Sequence, residues 1–212
     1  MNKLKVSEIF ESIQGEGRYQ GYPAIFVRLS GCTRDCSFCD SKYHKKGISK
    51  DIKDIINYIN KSKLNIVVWT GGEPLLQFDL IRNVIENTIE EEHHLESNGD
   101  LILNLDSLAD VINWFNYICF SPKNVKVAKR LNKLINQQYL YQSPPIDIKV
   151  VTDLEKVGVV MLKYATMLMP LTTYNEKKDL EIKRKVWNYC TKHNLFYSAR
   201  LHIEVWKEKR KK

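Results

Sequence analysis

Short apolar runs alternate with longer amphipathic stretches along most of the chain. The apolar runs predict strands over 24–29, 65–69, 94–97, 117–120, 146–151, 164–169 and 199–206. The amphipathic stretches predict helices over 51–61, 77–90, 125–138 and 176–193. In the first of these helices Ile52, Ile55 and Ile59 share one face, as the core side of a surface helix requires. Repeated alternation of strand and helix predicts an α/β fold with a mostly parallel sheet.

Polar or glycine-rich segments follow four of the predicted strands. They are the cysteine loop 31–40, then 71–74, 97–99 and 121–123, each after its own strand. In parallel sheets covered by helices, ligands bind at the carboxyl ends of the strands. We therefore expect these four segments to meet at one functional site.

Three of the five cysteines lie close together. Cys32, Cys36 and Cys39 have the spacing Cys-x3-Cys-x2-Cys, and this odd, clustered set argues against a disulfide framework. Three thiolates on one loop can bind three irons of a [4Fe–4S] cluster and leave the fourth iron open. The other two, Cys119 and Cys190, are predicted to be ordinary buried or half-buried thiols.

A zinc site is the competing interpretation of this loop. His44 follows Cys39 and could complete a Cys3His set. Zinc sites more often combine one close pair of ligands with a second, distant pair, and the compact triple spacing fits that pattern poorly.

Composition and charge set the class of protein. The chain has 212 residues, is 43% hydrophobic and 27% charged, and contains no apolar run long enough to cross a membrane. The N-terminus lacks the apolar core of a signal peptide, so we expect one cytoplasmic domain over residues 1–212 and no membrane partner. The net charge is +8, and a basic tail covers about 207–212. Such a tail is typically a solvated terminus, and nothing in the sequence requires it to bind nucleic acid.

The cysteine loop resembles that of the radical S-adenosylmethionine (SAM) superfamily, whose motif is Cys-x3-Cys-x-(aromatic)-Cys. Phe38 occupies the aromatic position. Gly71, Gly72 and Glu73 resemble the segment with which that superfamily holds the methionyl amino group. The resemblance implies a [4Fe–4S] cluster bound by three cysteines and SAM bound at the open iron.

Within the superfamily, segments spread over most of the chain resemble the 7-carboxy-7-deazaguanine synthases. The matching segments are Gln14-Gly15-Glu16-Gly17, 21–29, 39–41, Glu96-Ser97-Asn98-Gly99, Ser121-Pro122-Lys123 and Arg200-Leu201-His202. The resemblance implies conversion of 6-carboxy-5,6,7,8-tetrahydropterin into 7-carboxy-7-deazaguanine with loss of ammonia, a step toward 7-deazapurine nucleosides of tRNA. It also implies Mg²⁺, a homodimer, an electron donor of the flavodoxin or ferredoxin type, and an abridged (partial) radical SAM TIM-like barrel with mostly parallel strands.

The same resemblance assigns residue roles. The implied pterin ligands are Gln14, Gly15, Glu16, Arg28, Thr70 and His202. The implied SAM contacts are Phe38, Gly71, Gly72, Glu73, Ser97, Asn98, Ser121 and Lys123. Ser41 corresponds to the hydroxyl residue that meets Mg²⁺.

The chain departs from that family after Arg200-Leu201-His202, where it lacks the family's glycine-containing ending. In that family the ending helps to close the substrate site, so the resemblance does not extend to this part of the pocket. Two alternatives remain at this point: an activase of glycyl-radical enzymes, which shares the cysteine spacing, and a zinc-stabilised nucleic-acid-binding module that uses His44 and the basic tail.

Overall fold

The computed structural model describes residues 2–36, 46–138 and 143–207. The strands are β1 (Lys3–Ile13), β2 (Pro23–Leu29), β3 (Ile48–Asp51), β4 (Ile66–Gly71), β5 (Glu92–Ser97), β6 (Tyr117–Phe120), β7 (Ile146–Thr152), β8 (Met167–Pro170) and β9 (Phe196–Tyr197). The helices are α1 (Ile52–Lys61), α2 (Phe78–Ile85), α3 (Leu105–Ile112), α4 (Val125–Gln138), α5 (Glu176–His193) and α6 (Leu201–Trp206). Short 3₁₀ helices cover Pro74–Gln77 and Val159–Tyr164.

Within these ranges nine strands form one sheet in the order β3-β1-β2-β4-β5-β6-β7-β8-β9. The pairs from β2 to β9 are parallel, and β1 pairs antiparallel with both β2 and β3. The predicted α/β fold with a mostly parallel sheet is confirmed.

The two faces of the sheet differ in chemistry because side chains alternate along each strand. One face is apolar: Val67, Trp69 and Leu95 are fully buried there against helices α1 to α5. The opposite face carries many polar side chains, among them Glu96 and Lys149. A charged side chain on an interior strand requires a partner, and the candidate site lies on this face.

Helix boundaries follow local capping. Asp51 begins α1 by accepting a hydrogen bond from the backbone N–H of Lys53, and Asn175 begins α5 by accepting one from Lys178. The predicted span of α5 agrees with the structure, and α2 is shorter than predicted. Within the described ranges, no helix combines the length and the apolar character needed to cross a bilayer.

Two sequence predictions about strands are wrong. Residues 199–206 were predicted to be a strand, but Leu201–Trp206 form α6. The segment leaves the edge strand β9 to meet the loop after β1, where the Leu201 N–H donates to the Gly15 carbonyl oxygen. The strand predicted over 164–169 begins only at Met167.

Candidate active site

A buried lysine joins two carboxylates on the polar face of the sheet. Lys149 Nζ donates to Glu16 Oε2 at 2.8 Å and to Glu96 Oε2 at 2.9 Å. Its side chain is 3% exposed, so both ion pairs are shielded from solvent. Glu16 belongs to the loop after β1, whereas Glu96 and Lys149 belong to β5 and β7. The lysine therefore ties that loop to the sheet.

Glu16 is held as an anion. Burial raises its pKa, but Lys149, Arg200 and His202 together outweigh burial and hold the pKa well below its usual value. Arg200 Nε donates to Glu16 Oε1 at 3.1 Å, and His202 Nε2 lies 3.8 Å from the same oxygen. A carboxylate has about four acceptor positions, so Glu16 can still accept hydrogen bonds from a ligand.

The neighbouring carboxyl of Glu96 behaves differently. Burial raises its pKa, and Glu16 raises it further, while Lys149 acts in the opposite direction. Glu96 faces Cys119 across β5 and β6, and Cys119 is fully buried as predicted. The site thus contains one carboxylate that stays ionised and a second that takes up a proton more easily.

A second polar cluster lies beside the first on the same face. Asp147 accepts from Arg18 Nε and Nη2 at 3.0 Å each, from Tyr117 Oη at 3.0 Å and from Thr166 Oγ1 at 2.9 Å. The Arg18 guanidinium stacks over the Phe196 ring at 4.3 Å. These contacts fix the far end of the Glu16 loop against β7 and β9.

The Glu16 loop also contacts the segment after β9 through its backbone. The Gly17 N–H donates to Ser198 Oγ at 2.8 Å, and Gln20 Oε1 accepts from the Ala199 N–H at 3.0 Å. Gln14 acts inside the loop, where its Oε1 accepts from the Glu16 N–H at 3.2 Å. Its side chain is buried, so of the expected pterin ligands it is the one most clearly used for local structure.

The other expected pterin ligands lie around this loop. His202 stands on α6 with its ring against Gly15, where an added Cβ would collide with Nδ1. Arg28 and Thr70 are direct neighbours across β2 and β4. Arg28 Nε lies 3.4 Å from Glu8 Oε2, and its side chain is 18% exposed. The structure therefore brings Gly15, Glu16 and His202 together. It places Arg28 beside Thr70, where the Arg28 guanidinium already forms an ion pair with Glu8.

The cysteine loop lies at the carboxyl end of β2. Cys32 and Cys36 are both partly exposed. Gly72 leaves no room for a side chain, because an added Cβ would collide with the Gly31 carbonyl group. The backbone at Gly72 therefore lies directly against the start of the cysteine loop. Such a close approach suits a site in which backbone atoms and the cluster-binding cysteines surround one bound molecule.

The other candidate residues of the cysteine loop, Phe38, Cys39, Ser41 and His44, lie outside the described residues. Among residues 2–36, 46–138 and 143–207, no three His, Cys, Asp or Glu side chains form a metal-binding group. Two of the three expected cysteines, Cys32 and Cys36, fall inside those ranges and are partly exposed, and thiolate donors of this kind fit an iron–sulfur cluster.

Glu73 has an internal role that the sequence did not indicate. Its carboxylate is wholly buried and accepts from the Leu75 N–H, from Ser97 Oγ and from the Asn98 N–H, at 3.1, 2.8 and 2.8 Å. Burial raises its pKa to about 7, although the three hydrogen bonds act in the opposite direction. Glu73 thus joins the end of β4 to the end of β5.

Four of the expected SAM contacts lie near the ends of β5 and β6 and form two pairs. Ser97 and Asn98 are buried, and their side chains bond to neighbouring segments. Ser121 and Lys123 are half-buried beyond β6, where Lys123 Nζ donates to Ser121 Oγ at 3.0 Å. The second pair is more accessible to a ligand.

Sequence reasoning missed Lys149 and Arg200. Lys149 interrupts an apolar strand together with Asp147 two positions earlier, and such paired interruptions signal a polar inner face. Arg200 lies in the family-like segment Arg200-Leu201-His202, but only His202 of that segment is among the expected pterin ligands.

Comparison with known proteins agrees with this geometry. Residues 26–182 match the model of the radical SAM superfamily. The 7-carboxy-7-deazaguanine synthase of Hyperthermus butylicus is 31% identical over 95% of this chain and 92% of its own length. That of Thermoplasma acidophilum is 35% identical over 72% of this chain and 73% of its own length.

One solved structure is similar in fold. QueE from Escherichia coli superposes with a TM-score of 0.56 at 19% identity, covering 93% of both chains. Because the superfamily model matches well over half of the chain and a relative above 30% identity spans nearly all of it, the chain belongs to the radical SAM superfamily and, within it, to the 7-carboxy-7-deazaguanine synthase family.

Proposed function

We propose that this chain is a radical SAM lyase that converts 6-carboxy-5,6,7,8-tetrahydropterin into 7-carboxy-7-deazaguanine with release of ammonia. The observation that carries the proposal is the buried cluster of Glu16, Lys149 and Arg200 on the polar face of the sheet. It offers an ionised carboxylate, fixed in place, to a ligand with several N–H groups on one edge. Relatives named 7-carboxy-7-deazaguanine synthase support it.

Cys32, Cys36 and Cys39 would hold three irons of a [4Fe–4S] cluster, as membership of the superfamily implies. Gly71 and Gly72 would let backbone atoms approach the methionyl end of SAM, with Ser121 and Lys123 as accessible polar neighbours. When bound, the cluster and SAM supply a 5′-deoxyadenosyl radical for hydrogen-atom abstraction from the pterin. Phe38 is a further proposed SAM contact.

Glu16 would orient the pterin. Its carboxylate can accept two N–H bonds from the amino edge of the ring while it keeps its bonds to Lys149 and Arg200. Arg28 and Thr70 would meet the opposite, carboxylate-bearing edge, because guanidinium groups bind carboxylates in a bidentate manner. His202, on α6, would form one wall of the pterin pocket.

Further components complete the proposal. Ser41 would contact Mg²⁺, which commonly keeps several waters and takes few protein ligands. We also propose a homodimer, an electron donor of the flavodoxin or ferredoxin type, and a cytoplasmic location. The activase and zinc-module hypotheses are set aside, because the relatives carry a different name and the superfamily implies a cluster.

The test is an anaerobic assay of the reconstituted full chain with SAM, dithionite, Mg²⁺ and 6-carboxytetrahydropterin. Product is followed by its ultraviolet spectrum and mass, and SAM consumption is measured in parallel. Formation of 7-carboxy-7-deazaguanine without proportional loss of SAM is the expected result. Release of 5′-deoxyadenosine without any deazapurine would refute the proposed substrate.

A matched pair of variants tests the role of Glu16. Glu16→Gln keeps the shape but removes the charge, and we expect product formation to fall by about tenfold or more, the equivalent of one charge-assisted hydrogen bond. Glu11→Gln is the control, since Glu11 is exposed on β1 and bonds Ser62. Equal activity of both variants would exclude Glu16 from substrate recognition.

A further inference from the structure

An ion pair ties the cysteine loop to the end of β5. Arg34 lies between Cys32 and Cys36 in the sequence. Its Nε and Nη2 donate to Oδ2 and Oδ1 of Asp100, at 2.6 Å each, in the parallel fork that gives such pairs their geometric specificity. Thr33 Oγ1 adds a third bond to Asp100 Oδ2 at 2.8 Å.

Asp100 is itself anchored from two directions. Its backbone N–H donates to Asn98 Oδ1 at 2.9 Å, which fixes it to the turn after β5. Arg130 Nη2, from α4, donates to the carbonyl oxygens of Asp100 and Gly99 at 3.1 and 3.3 Å. The carboxylate that receives Arg34 therefore stands on the rigid part of the fold rather than on a free loop.

The same turn reaches the first cysteine directly. Asn98 Nδ2 donates to Thr33 Oγ1 at 2.9 Å and lies 3.8 Å from Cys32 Sγ. Residues 31–36 belong to no helix or strand. These side-chain bonds help to hold the segment, together with the contact with Gly72 and the bond from the Glu73 N–H to the Gly31 carbonyl oxygen at 2.8 Å.

The ion pair also balances charge beside the thiols. Arg34 is flanked by two cysteines expected to bind as thiolates, and Asp100 neutralises its guanidinium at 2.6 Å. The side chains are 25% and 16% exposed, so solvent screens this charge only in part.

We propose that Asp100, acting through Arg34, is a positioning residue for the iron–sulfur cluster: it holds Cys32 and Cys36 in place before the cluster binds, and it sets the local charge that tunes reduction of the cluster. This inference rests on the cluster-binding half of the proposed function and is independent of the identity of the substrate.

The positioning half is tested on the full chain without its cluster. Alkylation rates of Cys32 and Cys36 by iodoacetamide are read by mass spectrometry at a pH where both thiols are fully ionised, so that the rates report access and not the thiolate fraction. Buried Cys119 and Cys190 serve as references in the same sample. In Asp100→Asn and Arg34→Gln we expect both rates to rise about tenfold, as loss of one charge-assisted bond predicts.

Asp110→Asn is the control for this experiment, since Asp110 forms an ion pair with Arg82 that is longer and more exposed. Alkylation rates in it should equal those of wild type. If Asp100→Asn is unstable, Arg34→Gln carries the test, because its side chain is the more exposed of the two. Rates within twofold of wild type in Arg34→Gln would overturn the proposal.

The charge half is tested by redox titration of the reconstituted cluster. Asp100→Asn leaves a cation beside the cluster and should raise the reduced-to-oxidised ratio at a fixed potential by about threefold or more. Arg34→Gln should lower the ratio, and the double variant should return toward wild type. A purely structural role would shift both single variants in one direction, and that result would overturn this half.

The outcomes also separate this inference from the proposed function. A wild-type chain that binds no iron would refute the proposed function, whereas the alkylation measurement would still decide whether the ion pair orders the loop.

Discussion

Replacing Lys149 by methionine tests how the polar face of the sheet is stabilised. Methionine fills nearly the same volume but removes the ammonium that bonds Glu16 and Glu96 at 2.8 and 2.9 Å. Arg200 still pairs with Glu16 in the variant. Glu96 keeps a carboxyl whose side chain is 16% exposed and which has lost its lysine. The variant therefore isolates the effect of an unpaired buried carboxylate.

The magnitude follows from burial and pH. Removing one partner of a buried ion pair costs about 3–5 kcal/mol, and we expect a loss in this range at pH 8. Burial already raises the pKa of Glu96, and loss of Lys149 raises it further. A carboxyl with a raised pKa contributes stability that is complete below its unfolded pKa and is lost as pH rises through the folded pKa. The deficit of Lys149→Met should thus shrink on going from pH 8 to pH 5, by at most about 1.4 kcal/mol per pH unit for one proton.

The assay is urea unfolding followed by circular dichroism at both pH values. Lys185→Met is the matched control, because Lys185 also bonds two carboxylates, Glu155 and Glu181, each at 2.8 Å, but on the surface. We expect almost no change there, since exposed ion pairs contribute little. A deficit for Lys149→Met that is as small as the control's, or that is the same at pH 5 and pH 8, would refute the reasoning.

Three further predictions concern Gly72, Glu73 and His93. Gly72→Ala should lower the melting temperature by about 4 °C or more and abolish iron retention, because the added Cβ would collide with the Gly31 carbonyl group; calorimetry and iron analysis check this. Burial raises the pKa of Glu73 to about 7, so wild-type stability should decline as pH rises through 7. Glu73→Gln should remove that decline and cost about 1–3 kcal/mol at pH 5.5, as read from urea midpoints at pH 5.5 and 8.5. Burial lowers the pKa of His93 to about 4, so its contribution to stability is present above pH 6.5 and lost as pH falls toward 4. His93→Asn should therefore flatten the stability profile between pH 7 and 4.5, and an unchanged slope would count against the neutral, buried histidine that accepts from Trp69 Nε1.

Local patterns predicted most of the sheet and the helices that cover it. The span of α5 follows from its amphipathic period and from Asn175 at its start, both of which are local signals. The four polar or glycine-rich segments that follow strands were predicted to meet at one site, because ligands in a parallel sheet bind at the carboxyl ends of the strands. The patterns did not indicate β1, β3, β9 or α3. In β1, alternating polar and apolar residues over Lys3–Ile13 pair antiparallel with β2 and β3.

The error at residues 199–206 shows where local reasoning stops. The sequence Ala-Arg-Leu-His-Ile-Glu-Val-Trp alternates apolar and polar residues, which is typical of a strand. A strand needs a neighbour, and β8, which pairs with β9 in the register Leu168 to Tyr197, ends at Pro170, level with residue 199. Arg200 turns instead to Glu16, and α6 begins at the next residue. A contact between residues 184 positions apart therefore decided the local structure.

The same long-range contact explains why the Gln-Gly-Glu-Gly segment has glycines where it does. The family resemblance implies that Gly15 is a pterin ligand. In the structure, a side chain at Gly15 would collide with the His202 ring, and Gly17 adopts φ of 75° while its N–H donates to Ser198. Both glycines are thus required by the packing of the loop against the segment after β9, at the opposite end of the sheet from β3. Burial raises the pKa of Glu16 between them, and Lys149 on β7 together with Arg200 and His202 from that segment lowers it. The charge of the site and the joining of loop and sheet edge therefore depend on the same contacts, which no local pattern could have indicated.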